Sequence, residues 1–478
     1  MIVMKFGGTS VGSAERIEGV VRLVRDRLPL RPVVVVSALA RVTDTLIRGA
    51  ELALERDPEA DAVVEELKAR HREAVADLMP AGALRLGLFA YITSIVTELR
   101  AFYTGVHNLG ELTPRTLDAI SGLGERLSCE IVAAAMQERG LSAQAVDARG
   151  LIVTNEDFGK ATPLMDETTV QVRERLLPLL QQNVVPVVSG FIGATKRGIA
   201  TTLGRGGSDY SAAVIGAALP VEAIQIWTDV DGMMTVDPKL VPHATVLHEV
   251  SFEEAAELAY FGAKVLHPAT IRPAVEKGIP VGILNTMNPE AVGTLVTARA
   301  GSSTGEPRAI AFKKGISVIL ISQPRMLMAY GFVAKVFEVF DRHRTAVDLI
   351  ATSEVSISLT VDDPERLAAI EADLGSLGEV KVLRGMAIIS VVGRGFVRQA
   401  GLAARIFQSL RDINVVMISF GASDVNVSFV VNQDRAEAAV RLLHREFFEG
   451  EAAPAVREDA PEERTMRLQP AATTTPQN

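Results

Sequence analysis

The chain of 478 residues has a single cysteine, Cys129. No intrachain disulfide framework can form, no zinc site can be built on thiolates, and a reducing compartment is the expected setting. A basic excess is also missing. The 49 lysines and arginines are outnumbered by 58 aspartates and glutamates, for a net charge of -9, which argues against a nucleic-acid protein. No apolar run approaches the ~18 residues that span a bilayer, so no membrane partner is expected. The start, Met1 to Phe6, has neither a basic n-region nor a long apolar h-region, so a secretory signal is not expected. The seven histidines (71, 107, 243, 248, 267, 343, 444) show no metal-ligand spacing, and no protein-built metal site is read from them. What is present is ordinary globular composition, 48% hydrophobic and 22% charged, which excludes wholesale disorder. At roughly 150 residues per domain the length suggests about three domains of a soluble, cytoplasmic protein.

The first 300 or so residues alternate compact apolar runs with helical stretches. Ile2–Phe6, Pro32–Ser37, Val184–Ser189 and Ala223–Thr228 lack polar alternation, as strands buried on both faces of a parallel sheet do. Helical segments lie between them at Pro58–Met79, Ala83–His107 and Glu125–Arg139. This alternation predicts an α/β sandwich with helices on both faces of the sheet. The small, polar stretch Thr297–Pro307 reads as a linker. Beyond it lies an internal repeat. Gly331-Phe-Val-Ala-Lys-Val-Phe aligns with Gly401-Leu-Ala-Ala-Arg-Ile-Phe, and the match runs without a gap to Val355-Ser-Ile-Ser-Leu against Val425-Asn-Val-Ser-Phe. Each copy reads as strand, Gly-started helix, hairpin-like strand pair and second helix (Pro364–Leu374; Arg435–Phe448). That is the βαββαβ ferredoxin-like order. Two such units joined or stacked would protect sheet edges. Residues 451–478, rich in Pro, Ala, Thr and charge, are expected to be disordered.

Four elements carry chemistry. Lys5-Phe-Gly-Gly-Thr-Ser ends the first strand, and Ser13 can cap a helix starting at Ala14. Gly7 and Gly8 let backbone approach a phosphate, with Lys5 projecting from the strand end where ligands of open α/β sheets gather. The Gly-Lys-Ser/Thr ending of a Walker loop is absent. In Thr201-Thr-Leu-Gly-Arg-Gly-Gly-Ser-Asp-Tyr, glycines can form an amide nest before a helix starting near Ser208. Arg205 offers a fork for a carboxylate, and Asp209 is either a simple capping acid or a functional one. Trp227-Thr-Asp-Val-Asp-Gly mimics the start of a calcium loop, but Leu240 stands where a closing glutamate is required, so a nucleotide-side loop is the better reading. In Phe261-Gly-Ala-Lys-Val-Leu-His-Pro, Lys264 is by default a surface lysine and His267 a structural residue. Gly393-Arg-Gly-Phe-Val-Arg looks like half a dinucleotide fingerprint, but Arg398 replaces the third glycine, and it reads as a repeat loop.

Taken together, Lys5–Gly12 (KFGGTSVG), Thr202–Tyr210 (TLGRGGSDY), Trp227–Gly232 (WTDVDG), Phe261–Thr270 (FGAKVLHPAT) and Val347–Ser356 (VDLIATSEVS) closely resemble the motifs of the aspartate kinases of the amino-acid kinase family. The resemblance spans about residues 1–450. It implies a three-layer αβα kinase domain over 1–296 with a mainly parallel sheet, a linker over 297–307 and two ACT domains, the family's name for the repeat. The first ACT unit would cover 313–383, and the second would combine 308–312 with 384–450. The implied reaction converts ATP and L-aspartate to ADP and 4-phospho-L-aspartate, the first step of lysine, threonine and methionine (diaminopimelate) synthesis. An aspartate side chain, with a pKa of ~3.9, is already a nucleophile at neutral pH. No general base is required, and the enzyme's task is to neutralise phosphates and align the reactants.

By resemblance, Lys5 stabilises the transferring phosphoryl group, Gly7 and Gly8 supply amides, and Asp209 orients Lys5 and bears on Mg²⁺ held mainly by phosphates and water. Thr43, Glu125 and Arg205 fall where the family binds the amino acid, with Ser37, Gly206, Gly207 and Ser208 in support. Arg205 suits the α-carboxylate and Glu125 the ammonium. Thr228, Asp229, Met234, Lys239, Lys264 and Val265 map to the ATP side. Met326, Phe332, Val333, Asp348, Ser353 and Glu354 match the effector pocket of lysine-sensitive relatives, whereas Met328 and Ala346 depart from it. Only the first repeat has an acid at the Asp348 position, since Ile418 aligns there. An effector with a cationic side chain would want that acid, so feedback by lysine is expected, with threonine as the alternative; Asp348 could also simply end a strand. Paired ACT edges imply a homodimer. Two other readings share parts of this pattern. A kinase of N-acetylglutamate or glutamate would share the Gly-Gly turn and sheet. A non-enzymatic amino-acid sensor would be expected to have lost Lys5, Arg205 or Asp209.

Overall fold

The structure, a computed structural model, describes residues 1–261, 266, 268–298, 305–323, 330–362 and 365–449. Up to residue 297 the strands are β1 (Ile2–Phe6), β2 (Pro32–Val36), β3 (Ala143–Val146), β4 (Val153–Thr154), β5 (Val185–Ser189), β6 (Ile192–Thr195), β7 (Ala200–Thr202), β8 (Ala223–Thr228), β9 (Glu249–Ser251), β10 (Val281–Asn285) and β11 (Thr294–Thr297). Eight form one sheet in the order β3-β5-β2-β1-β8-β10-β11-β9, and β4, β6 and β7 form a small sheet beside it. The inner strands pair in parallel, with β1 held between β2 and β8. Only β11 runs against its neighbour β10. The unalternated apolar runs are explained by burial on both faces. On β1, Ile2, Met4 and Phe6 enter one core layer and Val3 the other.

The first layer packs helices Ala14–Asp26, Val42–Glu55, Glu59–Leu78, Ala83–Leu109 and Leu123–Glu138 against the sheet. The second layer packs Met165–Gln181, Gly207–Ala218, Phe252–Phe261 and Pro268–Glu276. Ser13 caps the first helix by accepting from Arg16 N. The helix of the Gly-Gly-Ser-Asp loop starts at Gly207, one residue before the expected start.

The C-terminal strands β12 (Pro307–Ser322), β13 (Ile350–Thr352), β14 (Ser356–Val361), β15 (Glu379–Gly393), β16 (Val415–Phe420) and β17 (Asn426–Asn432) form one six-stranded sheet, ordered β13-β14-β12-β15-β17-β16. The two repeats are therefore joined through shared strands. The C-terminal half of β12 pairs with β14, and the C-terminal half of β15 pairs with β17. The first half of β12, Pro307 to Lys314, pairs with Ala387 to Gly393 of β15. The pairing slips between Lys314 and Val318, next to Gly315, whose φ of +79° no branched side chain tolerates easily. Gly385, at the equivalent repeat position, has φ +68°. The repeat is thus visible in the backbone as a kink in each long strand. Gly331 and Gly401 likewise both start their helices with positive φ.

Thr297 belongs to β11 and Pro307 opens β12, while 299–304 of the expected linker lie outside the described residues, as does the tail from 450 onward. Among the described residues no helix is long and apolar enough to cross a membrane.

Candidate active site

Strand alternation determines where Lys5 goes. It lies on the same face of β1 as Val3, the face covered by helix Gly207–Ala218. Its Nζ meets Asp209 Oδ1 at 2.6 Å in that helix's first turn, and both side chains are largely buried (10% and 14% exposed). The chain then turns sharply at Gly7 and Gly8. Gly7 N donates to the carbonyl of Trp227 on β8. A Cβ on Gly8 would lie 2.9 Å from the carbonyl oxygen of Ala38, so only glycine fits that approach. This turn sits at the carboxyl end of the central strand, between β2 on one side and β8 on the other, where the sheet's connections diverge.

The opposite layer contributes Glu125, in the first turn of helix Leu123–Glu138, and Thr43, in the first turn of Val42–Glu55. Glu125 is 3% exposed; its Oε1 accepts from Ala38 N at 3.2 Å, and its buried Oε2 has no donor among the described residues. Burial pushes its carboxyl up to about 8. The third contribution is the loop after β7. Gly204 and Gly206 have φ of +75° and +70°, and a Cβ on Gly207 would lie 2.6 Å from the Phe191 ring. Arg205 projects from this loop into solvent.

These parts surround one cleft of about 570 Å³. Of the residues expected at the amino-acid and phosphoryl positions, Lys5, Gly8, Ser37, Thr43, Glu125, Arg205, Gly206, Gly207, Ser208 and Asp209 all line it. It has a lysine at the strand end, an exposed arginine at the rim and a buried carboxyl group on the far wall. Such a cleft can hold a zwitterion beside a bound phosphate. Ser37 is anchored through its carbonyl, which accepts from Ser128 Oγ at 2.6 Å.

Of the residues assigned to the ATP side, Thr228, Asp229, Met234 and Lys239 do not line this cleft. Thr228 ends β8, and its carbonyl accepts from Thr286 N at 2.8 Å. Asp229 is exposed beside it, Met234 is half-buried, and Lys239 is exposed, with its backbone N–H on Asp237. Thr228 lies one strand over, beyond the Gly7 turn, while Met234 and Lys239 lie on the segment that follows β8. Lys264, Val265 and Met326 fall outside the described residues.

Of the lining residues that the sequence reading did not assign, Asp118 and Arg41 matter most. Asp118, buried on helix Pro114–Ser121, accepts from Gly159 N, Thr202 N (3.0 Å) and Thr202 Oγ1 (2.6 Å), and so ties down the loop that leads to Arg205. Arg41, with φ +66°, stands at the mouth. Neither lies in a recognisable motif. Asp118 in particular would be visible only through an alignment of burial with hydrogen bonding.

Of the expected effector residues, Phe332 is buried, while Val333, Ser353 and Glu354 are exposed on the first repeat. Ser353 closes a turn with Ser356, their hydroxyls 2.7 Å apart. Asp348 turns instead towards the kinase domain. Tyr260 Oη donates to it at 2.5 Å, and Lys313 Nζ lies 3.5 Å away. Among the described residues its second oxygen, Oδ2, is buried without a donor, and burial raises its carboxyl above the usual range.

The amino acid kinase family matches residues 1–285, and the ACT domain matches residues 389–447. Aspartokinase 3, chloroplastic, of Arabidopsis thaliana is 40% identical over 471 residues, covering 95% of this chain and 83% of that protein. Lysine-sensitive aspartokinase 3 of Escherichia coli is 36% identical over 465 residues, covering 94% of this chain and 99% of that one. The crystal structure of E. coli aspartokinase III with aspartate and ADP (R-state) aligns with a TM-score of 0.82 at 34% identity, over 94% of this chain and 100% of that chain. The same enzyme with lysine and aspartate (T-state) aligns at 0.77, again at 34% identity, over 93% and 98%. Fold and cleft thus define a phosphotransferase of the amino-acid kinase class, with a carboxyl group as acceptor. Within that class, the chain belongs to the aspartokinase family.

Proposed function

We propose that the cleft binds L-aspartate and that the chain transfers the γ-phosphoryl group of ATP to its side-chain carboxylate, giving 4-phospho-L-aspartate and ADP. The observation that carries this reading is the convergence of the Lys5–Asp209 pair with Glu125 and Arg205 on one cleft. Arg205 takes the α-carboxylate and Glu125 the ammonium, which leaves the side-chain carboxylate free to face Lys5. The substrate oxygen attacks the γ-phosphorus as the bond to the ADP oxygen breaks. Lys5 neutralises charge on the transferring group, Asp209 holds the ammonium of Lys5 in place, and the glycine turn offers the amide of Gly8, that of Gly7 being taken by the Trp227 carbonyl. Thr228, Asp229, Met234, Lys239, Lys264 and Val265 form the nucleotide side. Ser37, Thr43, Gly206, Gly207 and Ser208 shape the amino-acid side.

Mg²⁺ fits this donor set only as a companion of the nucleotide. The carboxylates lining the cleft are Asp44, Asp118, Glu125 and Asp209. Asp118 is consumed by backbone donors, and Glu125 lies on the amino-acid wall. An ion held by phosphate oxygens and water, with Asp209 as the carboxylate at hand, would supply charge neutralisation.

The wider assignment follows the same reading. The kinase domain spans 1–296, the first ACT unit 313–383, and the second 308–312 with 384–450, supported by the pairing of the first half of β12 with β15. An amino-acid effector, lysine ahead of threonine, binds the first unit through Asp348, with Met326, Phe332, Val333, Ser353 and Glu354 around it. E. coli aspartokinase III has been crystallised with lysine. Val333, Phe337, Ile350 and Val355 are large apolar side chains exposed on this unit, which supports pairing of two chains there. The reaction feeds lysine, threonine and methionine synthesis in the cytoplasm.

A coupled ADP-release assay tests the core of this reading. Turnover is expected with L-aspartate and not with N-acetylglutamate or glutamate, and lysine is expected to lower it. Equal turnover on glutamate would overturn the substrate assignment.

A further inference from the structure

The segment between β8 and β9 leaves the kinase sheet and becomes part of another core. Val236, Leu240 and Val241 are buried among Phe396, Phe429 and Leu443 of the second repeat. Ile310 N donates to Thr235 O at 2.7 Å and joins the same segment to β12. At the rim of this contact three metal-ligating side chains converge. His243 comes from the segment itself, His444 ends helix Gln433–His444, and Glu449 closes the following turn. Glu449 Oε1 lies 2.8 Å from His243 Nε2 and 2.7 Å from His444 Nδ1. One donor atom from each of the three lies within 4.8 Å of the others.

We propose that His243 Nε2, His444 Nδ1 and Glu449 Oε1 bind a divalent transition-metal ion of the Zn²⁺ class, with water in the fourth position. The ion would cross-link the β8–β9 segment to the second ACT unit.

The donor set selects the ion. Two imidazoles and one carboxylate suit Zn²⁺ and its neighbours, whereas Mg²⁺ and Ca²⁺ take all-oxygen shells. An outer partner is in place: the other nitrogen of buried His444, Nε2, lies 3.4 Å from Thr235 Oγ1, which can accept the Nε2 proton when Nδ1 turns to the metal. The entry path is open, because the His243 and Glu449 side chains are 65% and 34% exposed. With Zn–N and Zn–O bonds of ~2.0–2.1 Å, a tetrahedral shell has ligand edges of ~3.3 Å. The carboxylate would therefore retreat by about half an ångström, and His243 would close on His444. Both of these residues sit at exposed positions that can move. In the ion's absence Glu449 Oε1 can accept a hydrogen bond from each ring, so metal binding would displace those protons. Spacing along the chain hides the site because its two histidines come from different domains.

The untagged full chain provides the test. Dialysed against Zn²⁺ and then challenged with a chromophoric chelator, it should retain one equivalent, and Co²⁺ in its place should give the intense visible absorption of a tetrahedral site. Thermal melting should shift upward with Zn²⁺. His243→Ala and Glu449→Gln, both at exposed positions, should each weaken retention by at least ~10-fold and abolish the melting shift, and Thr235→Val should weaken it by about tenfold. Failure of the folded wild-type chain to retain stoichiometric Zn²⁺, or retention unchanged in both His243→Ala and Glu449→Gln, would overturn the proposal.

Discussion

Glu125 presents a buried oxygen with no donor, and its carboxyl is pushed up to about 8 from an ordinary value of 4.5. In the free enzyme at neutral pH it is therefore largely protonated. An ammonium group arriving in the cleft would favour the charged form, so binding of L-aspartate should release a proton and strengthen as pH rises towards about 8. The folded protein binds the extra proton between those two values. Stability of the free enzyme should therefore fall as pH rises through that window and level off above it. Glu125→Gln keeps an acceptor for Ala38 N but removes the charge. KM for aspartate should rise by roughly 10- to 100-fold and lose its pH dependence, and the pH slope of the melting temperature should flatten. Steady-state kinetics and melts across pH check both. Lys5 and Asp209 act on the other side of the substrate. Lys5→Ala and Asp209→Ala should each lower kcat by ~10²–10³ with the fold intact by circular dichroism. Near-normal turnover in either variant would remove that residue from the mechanism.

The elements matter because the site is tied together across them, as Lys5 with Asp209 and Glu125 with Ala38 show. The loop from Thr202 to Arg205 depends on Asp118, which lies on a separate helix and takes N–H groups from Gly159 and Thr202 as well as the Thr202 hydroxyl. Asp118→Asn turns one acceptor oxygen into a donor facing those N–H groups. The protein should lose roughly 1–3 kcal/mol of stability, and KM for aspartate should rise as Arg205 loses its fixed base; denaturant titration and kinetics read the two effects. This residue also marks the limit of what sequence conveys. The apolar runs of β1, β2, β5 and β8 announce themselves because burial on both faces removes polar alternation. Lys5 and Asp209 are legible because they stand at the end of such a run and at the start of a glycine-led helix. Asp118 sits in an unremarkable helix, and its role arises from contacts with residues 41 and 84 positions away. The sharing of β12 and β15 was legible only through the family resemblance, which assigned 308–312 to the second unit, because a repeat by itself shows two copies but not that each long strand serves both.

At the scale of the whole molecule, the C-terminal sheet and the kinase meet at helix Phe252–Phe261, which packs on β12 and β15 and leads into the Lys264 motif. Tyr260 on that helix donates to Asp348 of the first repeat, and Lys313 of β12 lies over the Tyr260 ring and is paired with Asp362 at 2.6 Å. A cationic effector that claims Asp348 must compete with Lys313 and Tyr260, so its binding free energy would be coupled to the position of a kinase helix. That coupling is reciprocal, as any linkage between two sites is. Tyr260→Phe removes the hydroxyl and keeps the ring under Lys313. If the Tyr260–Asp348 bond holds the active arrangement, the variant should bind lysine more tightly and be inhibited at lower lysine concentration, with turnover in lysine's absence unchanged. One lost hydrogen bond to a charged acceptor, ~1.5–3 kcal/mol at most, sets a ceiling of roughly 10- to 100-fold on that shift. Asp348→Ala should do the opposite and relieve inhibition with catalysis intact. Lysine titrations of ADP release in both variants decide the matter. An unaltered inhibition curve in Asp348→Ala would move the effector elsewhere, while a shift in Asp348→Ala but not in Tyr260→Phe would leave the effector at Asp348 and deny the helix any part in transmitting it.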